Sequence, residues 1–561
     1  MKVAIAQINP TVGDLERNYK KIVNYTKEAY ENGANIVIFP EGSIPGYPAN
    51  DLMLEKSFIR ENKNYLMKAV NESPDIVTIV GFIDYNQEYK LYNCAAIYKS
   101  GKIIGTIKKT LLPTYDVFDE LRYFIPAKRE EIKPVKVEIG GKTINLGVEI
   151  CEDLWDHDYE TKVTELLVER GAELIINISA SPYFVGKGIE REELIKEKVR
   201  KTNTPFVYCN LVGGQDELVF DGQSLIVNKN AQTIYYGKKF EEELSIIELD
   251  LERGNEKPEE RPLYNREEEF YNAIVLGIRD YFRKTGFKKA ILGLSGGIDS
   301  SLVACLACDA LGKNNVIGVS MPSKYSSDHS KSDAEQLANN LGIVYLKFSI
   351  QDIVDMYSRV LEEPLKKVRE YYKVSEEEDN SVADENIQPR VRANCLMDFS
   401  NRLSKLGILV LNTGNKTELA LGYCTIYGDM TGGLSVIGDV NKLDVYKLAK
   451  YVNIREKKEI IPENVFRKKP SAELKENQYD PFNFDIVSPL VDEIIENRRT
   501  KKELEEMGYP REEIDNVYER IRKAEYKRWQ APPTIKVTKR AFGIGWKMPI
   551  VNKYTDKYEE V

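Results

Sequence analysis

The run KKAILGLSGGIDSSLVACLACDALG, residues 288–312, leaves the chain little conformational choice. An apolar run of β character meets two adjacent glycines, and a long apolar stretch without Gly or Pro follows. The order strand, glycine turn, helix begins a doubly wound parallel sheet. Gly296 and Gly297 let backbone N–H groups close around an anion, and the helix N-terminus adds positive potential. The loop is not a Walker A motif, because GxxxxGK[ST] is absent and no lysine follows the second glycine. Asp299 instead brings a carboxylate, which suits Mg²⁺ travelling with phosphates. Cys305 and Cys308 form a CxxC here, but no second ligand pair accompanies them, and a buried helix face is the better reading.

A chain of 561 residues exceeds one ordinary core and implies two domains. Residues 1–250 alternate β-rich runs such as VAIAQI, NIVIFPE, IVTIVGF and ELIINISAS with amphipathic helices, which predicts a layered α/β domain. The polar, proline-bearing stretch LERGNEKPEERPLYNREEE (251–269) contains a linker, 251–265, with the boundary near Pro258, and a second domain follows over 266–561. The acidic segment KVSEEEDNSVADEN (373–386) reads as a mobile loop able to order over a ligand. The N-terminus turns polar before a signal-peptide core could form, and no apolar run approaches the ~20 residues that span a bilayer, so a cytoplasmic protein without membrane contact is expected. A net charge of −9 supplies no broad basic stripe, and nucleic acid is not expected as a partner. Seven cysteines without scaffold spacing read as reduced thiols.

SGGIDS resembles the pyrophosphatase loop of the ATP-pyrophosphatase family. SMPSKYSS (320–327), ENIQPRVR (385–392), NTGNKTELALGYCTIYGDM (412–430), KKPSAEL (468–474) and KRWQAPPTIKVTKRAFGIGW (527–546) are similar to successive signatures of the NAD synthetases, a Rossmann-like fold. The resemblance implies amidation of deamido-NAD: ATP converts its carboxylate to an acyl adenylate with release of pyrophosphate, and ammonia then attacks. It places ATP and pyrophosphate on Gly293, Leu294, Ser295, Gly296, Gly297, Ile298, Asp299, Ser300 and Thr413. It places Mg²⁺ at Asp299 and Glu418, the latter also a candidate for the dinucleotide. Deamido-NAD would be held by Asn386, Tyr423, Tyr427, Asp429 and Lys536, with Lys442 near the adenylate. Read as residues alone, the tyrosines could equally pack and Lys536 could be a solvated strand residue.

The first half must then account for ammonia. The chain holds two histidines, His157 and His329, so the usual partner of a nucleophilic cysteine is scarce. IFPEGSIPGYPANDL (38–52), KKTLLPTYDVFDELRYF (108–124) and GVEICEDLWD (147–156) resemble the Glu, Lys and Cys segments of the nitrilase superfamily, in the glutaminase form fused to NAD synthetases. The resemblance runs from Met1 to about Ser245 and implies an α-β-β-α sandwich. It assigns Glu41 as general base, Lys109 as oxyanion stabiliser and Cys151 as nucleophile on the glutamine amide. Tyr115, Ser181 and Lys187 would contact glutamine, with Tyr47 and Glu152 as weaker candidates; some relatives carry arginine at the position of Lys187. Glu120 either orients Lys109 or is a surface carboxylate. GGQDELVFDGQS (213–224) is either a turn lining the site or an interdomain contact. The competing reading, an amidase joined to a ligase of different substrate, has YGDM and KRWQAPPTIK against it. Homo-oligomerisation, dimer-based and up to an octamer, follows from the resemblance alone; an enclosed route for ammonia is expected because ammonia released into water would be protonated and lose its nucleophilicity.

Overall fold

The computed structural model describes residues 1–375, 382–476 and 478–558. The chain divides into two compact units, Met1–Tyr264 and Asn265–Val561. In the first unit, strands β1 (Lys2–Gln7), β2 (Ile36–Ile38), β3 (Val77–Tyr85), β4 (Leu91–Lys99) and β5 (Lys102–Lys108) form one sheet, and helices α1 (Leu15–Glu31) and α2 (Lys56–Asn71) interrupt them in sequence. Strands β6 (Val135–Ile139), β7 (Lys142–Ile150), β8 (Leu174–Ser179) and β9 (Phe206–Asn210) begin a second sheet, with helices α3 (Val163–Glu169) and α4 (Lys187–Thr202). A hairpin, β10 (Val212–Gln215) and β11 (Leu218–Asp221), precedes β12 (Leu225–Val227), β13 (Thr233–Tyr236) and β14 (Glu243–Glu248). The sheet orders are β14-β1-β2-β3-β4-β5 and β13-β12-β9-β8-β7-β6.

Period-two alternation explains the layering. Val3 and Ile5 of β1 join Ile36, Ile38, Val148, Ile150, Ile176 and Val207 in a core between the two sheets. Ala4 and Ala6, pointing the other way, meet Ile22 and Val23 of α1 and Leu66 of α2. On the far side of the second sheet, Ile175 and Phe206 meet Leu166 of α3 and Ile195 of α4. The unit is therefore an α-β-β-α sandwich, and its central strands are apolar on both faces because both faces are covered. Residues 251–264 pack on this unit: the Arg261 Nε donates to Glu192 at 2.7 Å, and the Glu259 N–H to the Thr233 carbonyl at 2.9 Å.

In the second unit, α5 (Arg266–Thr285) leads into β15 (Lys289–Gly293) and α6 (Ile298–Leu311). Then follow β16 (Val316–Ser320), α7 (Asp328–Leu341), β17 (Val344–Lys347), α8 (Gln351–Tyr372) and α9 (Val382–Arg402). After them come β18 (Ile408–Asn412), α10 (Lys416–Leu421), β19 (Leu434–Ser435) and α11 (Lys442–Glu456). The sheet order is β17-β16-β15-β18-β19 with every pairing parallel. This is the doubly wound arrangement, whose ligand crevice opens at the carboxyl ends of the strands. One expectation changes. Residues 382–386, read as part of a loop, form the first turns of α9, where the following apolar residues Val391, Ala393 and Leu396 anchor the helix to the core; residues 376–381 lie outside the described residues.

Candidate active sites

Three strand ends of the first unit converge. The chain leaves β2 through Phe39-Pro40-Glu41, and this turn lies so close over β3 that a Cβ on Gly81 would fall 2.5 Å from the Gly42 nitrogen and 2.6 Å from the Pro40 oxygen. Only glycine permits that approach. Lys109 follows β5, its N–H bonded to the Asn93 carbonyl of β4 at 2.8 Å. Cys151 follows β7 with φ +46°, a left-handed conformation that costs a non-glycine residue roughly 1–2 kcal/mol.

The Lys109 Nζ donates to Glu41 Oε1 at 2.9 Å and to Glu120 Oε1 at 2.8 Å. Glu41 also accepts from Asn93 Nδ2 at 2.7 Å and from the Ala180 N–H at 2.9 Å, so the carboxylate is held on both oxygens. Glu120 is 5% exposed and accepts from the Tyr47 hydroxyl at 2.8 Å. It is therefore not a surface carboxylate. Burial pushes the Glu120 carboxyl up to about 7 against the pull of Lys109. Burial would pull the Lys109 amine down, but the Glu120 and Glu41 carboxylates outweigh it and keep it a cation. Burial first, and the Glu41 charge second, push the Cys151 thiol well up, with Lys109 only partly offsetting them. At rest the sulfur is a thiol, and a base is required to use it.

Around this centre, Tyr115 donates to both oxygens of Glu152 at 3.1 and 3.0 Å. Lys187, the first residue of α4, lies 3.5 Å over the Trp155 ring, and burial lowers its amine to about 8. The buried Ser181 donates its N–H to Asn210 at 3.0 Å. Tyr47 is spent on Glu120, so its contact is with the partner of Lys109. The segment 213–224 forms the β10-β11 hairpin, whose Phe220 packs edge-on against Tyr47 at 6.3 Å and whose Asp221 pairs with the buried Arg191 at 3.0 Å. His157 is almost fully exposed. Asn93 and the Ala180 N–H were missed by sequence reasoning, since neither carries a local motif.

The second unit holds a cavity of about 330 Å³ at the carboxyl ends of its strands, lined by Gly293, Leu294, Ser295, Gly297, Ile298, Asp299, Ser300, Thr413, Glu418, Tyr423, Asp429 and Lys442. Gly296 stands behind this lining: at φ +75°, a Cβ there would lie 2.2 Å from the Ser330 carbonyl oxygen of α7. Its bareness lets the loop press against α7. The Lys442 Nζ, at the start of α11, donates to Asp299 Oδ2 at 2.6 Å and to Glu418 Oε1 at 3.3 Å. Asp299 Oδ1 accepts from Asn415 Nδ2 at 2.8 Å. Burial raises Glu418 to about 7, with Lys442 opposing and Asp299 adding to the rise. Lys468, Ser330 and Arg392 also line the cavity and were not assigned from sequence, although KKPSAEL and ENIQPRVR contain two of them.

Three residues expected on the dinucleotide lie outside this lining. Lys536 donates to the carbonyls of Thr538 and Lys539 at 2.8 and 3.0 Å. Tyr427 is 67% exposed, and Asn386 accepts from the Thr425 hydroxyl at 2.7 Å. For a divalent cation the donor set offers two carboxylates, which phosphate oxygens would have to complete. Asp299 and Glu418 share the Lys442 ammonium, and among the described residues no cluster of three or more His, Cys, Asp or Glu side chains is poised around a metal position. Lys442 places positive charge beside both carboxylates.

The profile of the carbon-nitrogen hydrolase family matches residues 2–258 and that of the NAD synthase family residues 270–531. The glutamine-dependent NAD(+) synthetase of Thermotoga maritima is 42% identical, with 99% of each chain covered. That of Synechocystis sp. is 41% identical over 98% of this chain and 99% of the relative. Among solved structures, a glutamine-dependent NAD+ synthetase from Acinetobacter baumannii in complex with ADP is 35% identical, with a TM-score of 0.75 and 99% of both chains covered. One from Cytophaga hutchinsonii shares the fold at 21% identity, with a TM-score of 0.81 over 98% of both chains.

Proposed function

The chain belongs to the glutamine-dependent NAD(+) synthetases, ligases that form a carbon–nitrogen bond, and from that premise we propose that Glu41, Lys109 and Cys151 make the ammonia that the second unit consumes. The observation that carries this reading is the buried Glu41–Lys109 pair beside a cysteine held in a left-handed turn. Glu41, clamped by Asn93 and the Ala180 N–H, takes the thiol proton. The sulfur attacks the glutamine amide carbon, and the Lys109 cation stabilises the oxyanion in a site shielded from water. Glu41 returns its proton to the departing ammonia, then activates a water that hydrolyses the thioester to glutamate. Lys187, stacked on Trp155, faces the α-carboxylate of glutamine; Glu152 faces its α-amino group.

In the second unit, ATP sits along Ser295–Ser300 with its phosphates at the α6 N-terminus and Lys442 beside them. Deamido-NAD is adenylated, pyrophosphate leaves, and ammonia displaces AMP in what is the last step towards NAD. Ammonia released to water would be protonated and lose its nucleophilicity, so it passes internally. Incorporation of label from amide-¹⁵N glutamine should persist against excess unlabelled ammonium; full dilution of the label would reject that transfer.

The decisive test is Cys151→Ala. Synthesis supported by glutamine should vanish while synthesis supported by ammonium remains, and retention of the former would reject the assignment.

Oligomerisation has a candidate surface. Helix α8 buries none of its side chains, and Ile353, Met356, Val360, Leu361, Leu365 and Val368 stand exposed along it at helical spacing. Val354 near its start packs against the core, but an apolar stripe of this size facing water is unfavourable. Asp352, Asp355, Glu362 and Glu363, with one Arg359, precede Pro364, while Lys366, Lys367 and Arg369, with one Glu370, follow it. The same helix of a second copy, run antiparallel, would cover the stripe and match opposite charges. Val360→Glu should lower the oligomeric state in sedimentation; an unchanged state would exclude this helix as the contact.

A further inference from the structure

Asp153, two residues beyond the nucleophile, is absorbed by none of the roles above, yet it touches both halves of the catalytic centre. It is 1% exposed. Its Oδ1 accepts the N–H groups of Thr110 at 2.9 Å and Leu111 at 2.8 Å, the two residues directly after Lys109. Its Oδ2 accepts the Ile150 N–H at 3.0 Å, the residue directly before Cys151. One carboxylate thus ties the segment leaving β5 to the turn leaving β7, segments about 40 residues apart in sequence and not paired as strands. The Cys151 turn needs such a tie, because its left-handed φ of +46° is disfavoured without surroundings that impose it. From the other side, Asn177 Nδ2 reaches the Cys151 carbonyl at a weak 3.4 Å.

We propose that Asp153 is a positioning residue that sets the distance between the Lys109 ammonium and the Cys151 sulfur, and so governs the rate of thioester formation without touching glutamine. This rests on the reading of Cys151 as the nucleophile. Burial pushes the Asp153 carboxyl up to about 7, and the three N–H donors resist that rise. Its oxygens accept from the backbone of both catalytic segments, so the side chain serves those segments and no ligand.

Asp153→Asn tests it with little change of shape. An amide keeps one accepting oxygen and turns its NH₂ towards a donor, so one of the two segments must come loose. In the full chain, the kcat for glutamine hydrolysis should fall about 100-fold, the loss expected for a displacement near 1 Å. The KM for glutamine should stay within about threefold, since no substrate contact is removed. Ammonium-supported synthesis should be unchanged, and amide exchange should quicken at Thr110, Leu111 or Ile150 while the rest of the unit keeps its protection. Asp153→Glu, which retains both oxygens, should recover part of the rate. A wild-type kcat in Asp153→Asn, a loss confined to KM, or unchanged exchange at those amides would overturn the proposal. If Asp153→Asn does not fold, the wild-type protein decides: the three amides must be among the slowest of their segments to exchange, and faster exchange than their neighbours overturns the idea. Cys151→Ala separates the two readings: if that variant still hydrolyses glutamine, the nucleophile assignment fails; if it does not while Asp153→Asn does at full rate, only the positioning role fails.

Discussion

Both units place a buried lysine between two carboxylates, and the two constellations differ in how tightly they are closed. Lys109 sits 2.9 and 2.8 Å from Glu41 and Glu120, with all three side chains at most 5% exposed. Lys442 sits 2.6 and 3.3 Å from Asp299 and Glu418, whose side chains are 19% and 21% exposed beside an open cavity. On the proposed roles the first is a finished device: base, cation and supporting acid would be fixed before substrate arrives, as preorganised electrostatic catalysis demands. The second is a set of charges waiting for a partner, since a polyphosphate entering the cavity brings negative charge that competes with Asp299 for the same ammonium. On the proposed reading, similar charge patterns would serve chemistry in one place and recruitment in the other because the surrounding packing differs.

The sharpest way to break this comparison is Lys109→Met. It leaves Glu41 and Glu120 buried without a cation, and should cost that unit about 3–5 kcal/mol of stability together with essentially all glutaminase activity; urea unfolding and glutamate release measure the two. Lys442→Met should remove synthesis with either nitrogen source, yet destabilise by only about 1 kcal/mol, because water reaches its carboxylates. Equal stability losses in the two variants would show that the cavity is as closed as the triad.

Glu120→Gln offers a finer test. The amide oxygen can still accept from Lys109, and only the charge is lost. Because Glu120 in the folded protein ionises near pH 7, wild type and variant carry the same charge below that pH and differ above it. Their glutamine kcat values should coincide near pH 6, with the wild type ahead by about tenfold near pH 8. Parallel profiles across that range would exclude an electrostatic role. The smallest expected effect concerns Lys187. Its amine, lowered to about 8 by burial, is charged below that pH and neutral above it, so the KM for glutamine should rise severalfold between pH 7 and 9 while kcat holds. In Lys187→Met the KM should be high and flat with pH.

Much of this was legible in the sequence where function coincides with a strand end. Glu41, Lys109 and Cys151 each follow an apolar run, and the SGGIDS loop follows another, so local pattern and resemblance locate them together. What could not be read is what depends on register across the sheets. Asn93 reaches Glu41 only because β4 lies beside β3 and β5, and the backbone amide of Ala180 arrives at the same carboxylate from the second sheet. The role of Glu120 stayed open because its burial depends on the Leu-Pro loop folding back over β4 and β5. Nor did any local pattern announce that Lys536, placed by its motif, donates to the carbonyls of Thr538 and Lys539. The acidic stretch before α9 misled for a simple reason: its polar residues begin a helix whose apolar anchors lie further along.

The left-handed turn at Cys151 carries a consequence for how this enzyme ages in evolutionary time. The backbone there is one that glycine would occupy at ease, so the substitution that best relaxes the turn would, on the proposed reading, also remove the nucleophile. Cys151→Gly should resist heat better than Cys151→Ala, and if Cys151 is the nucleophile, selection keeps a thiol at a turn whose backbone favours glycine.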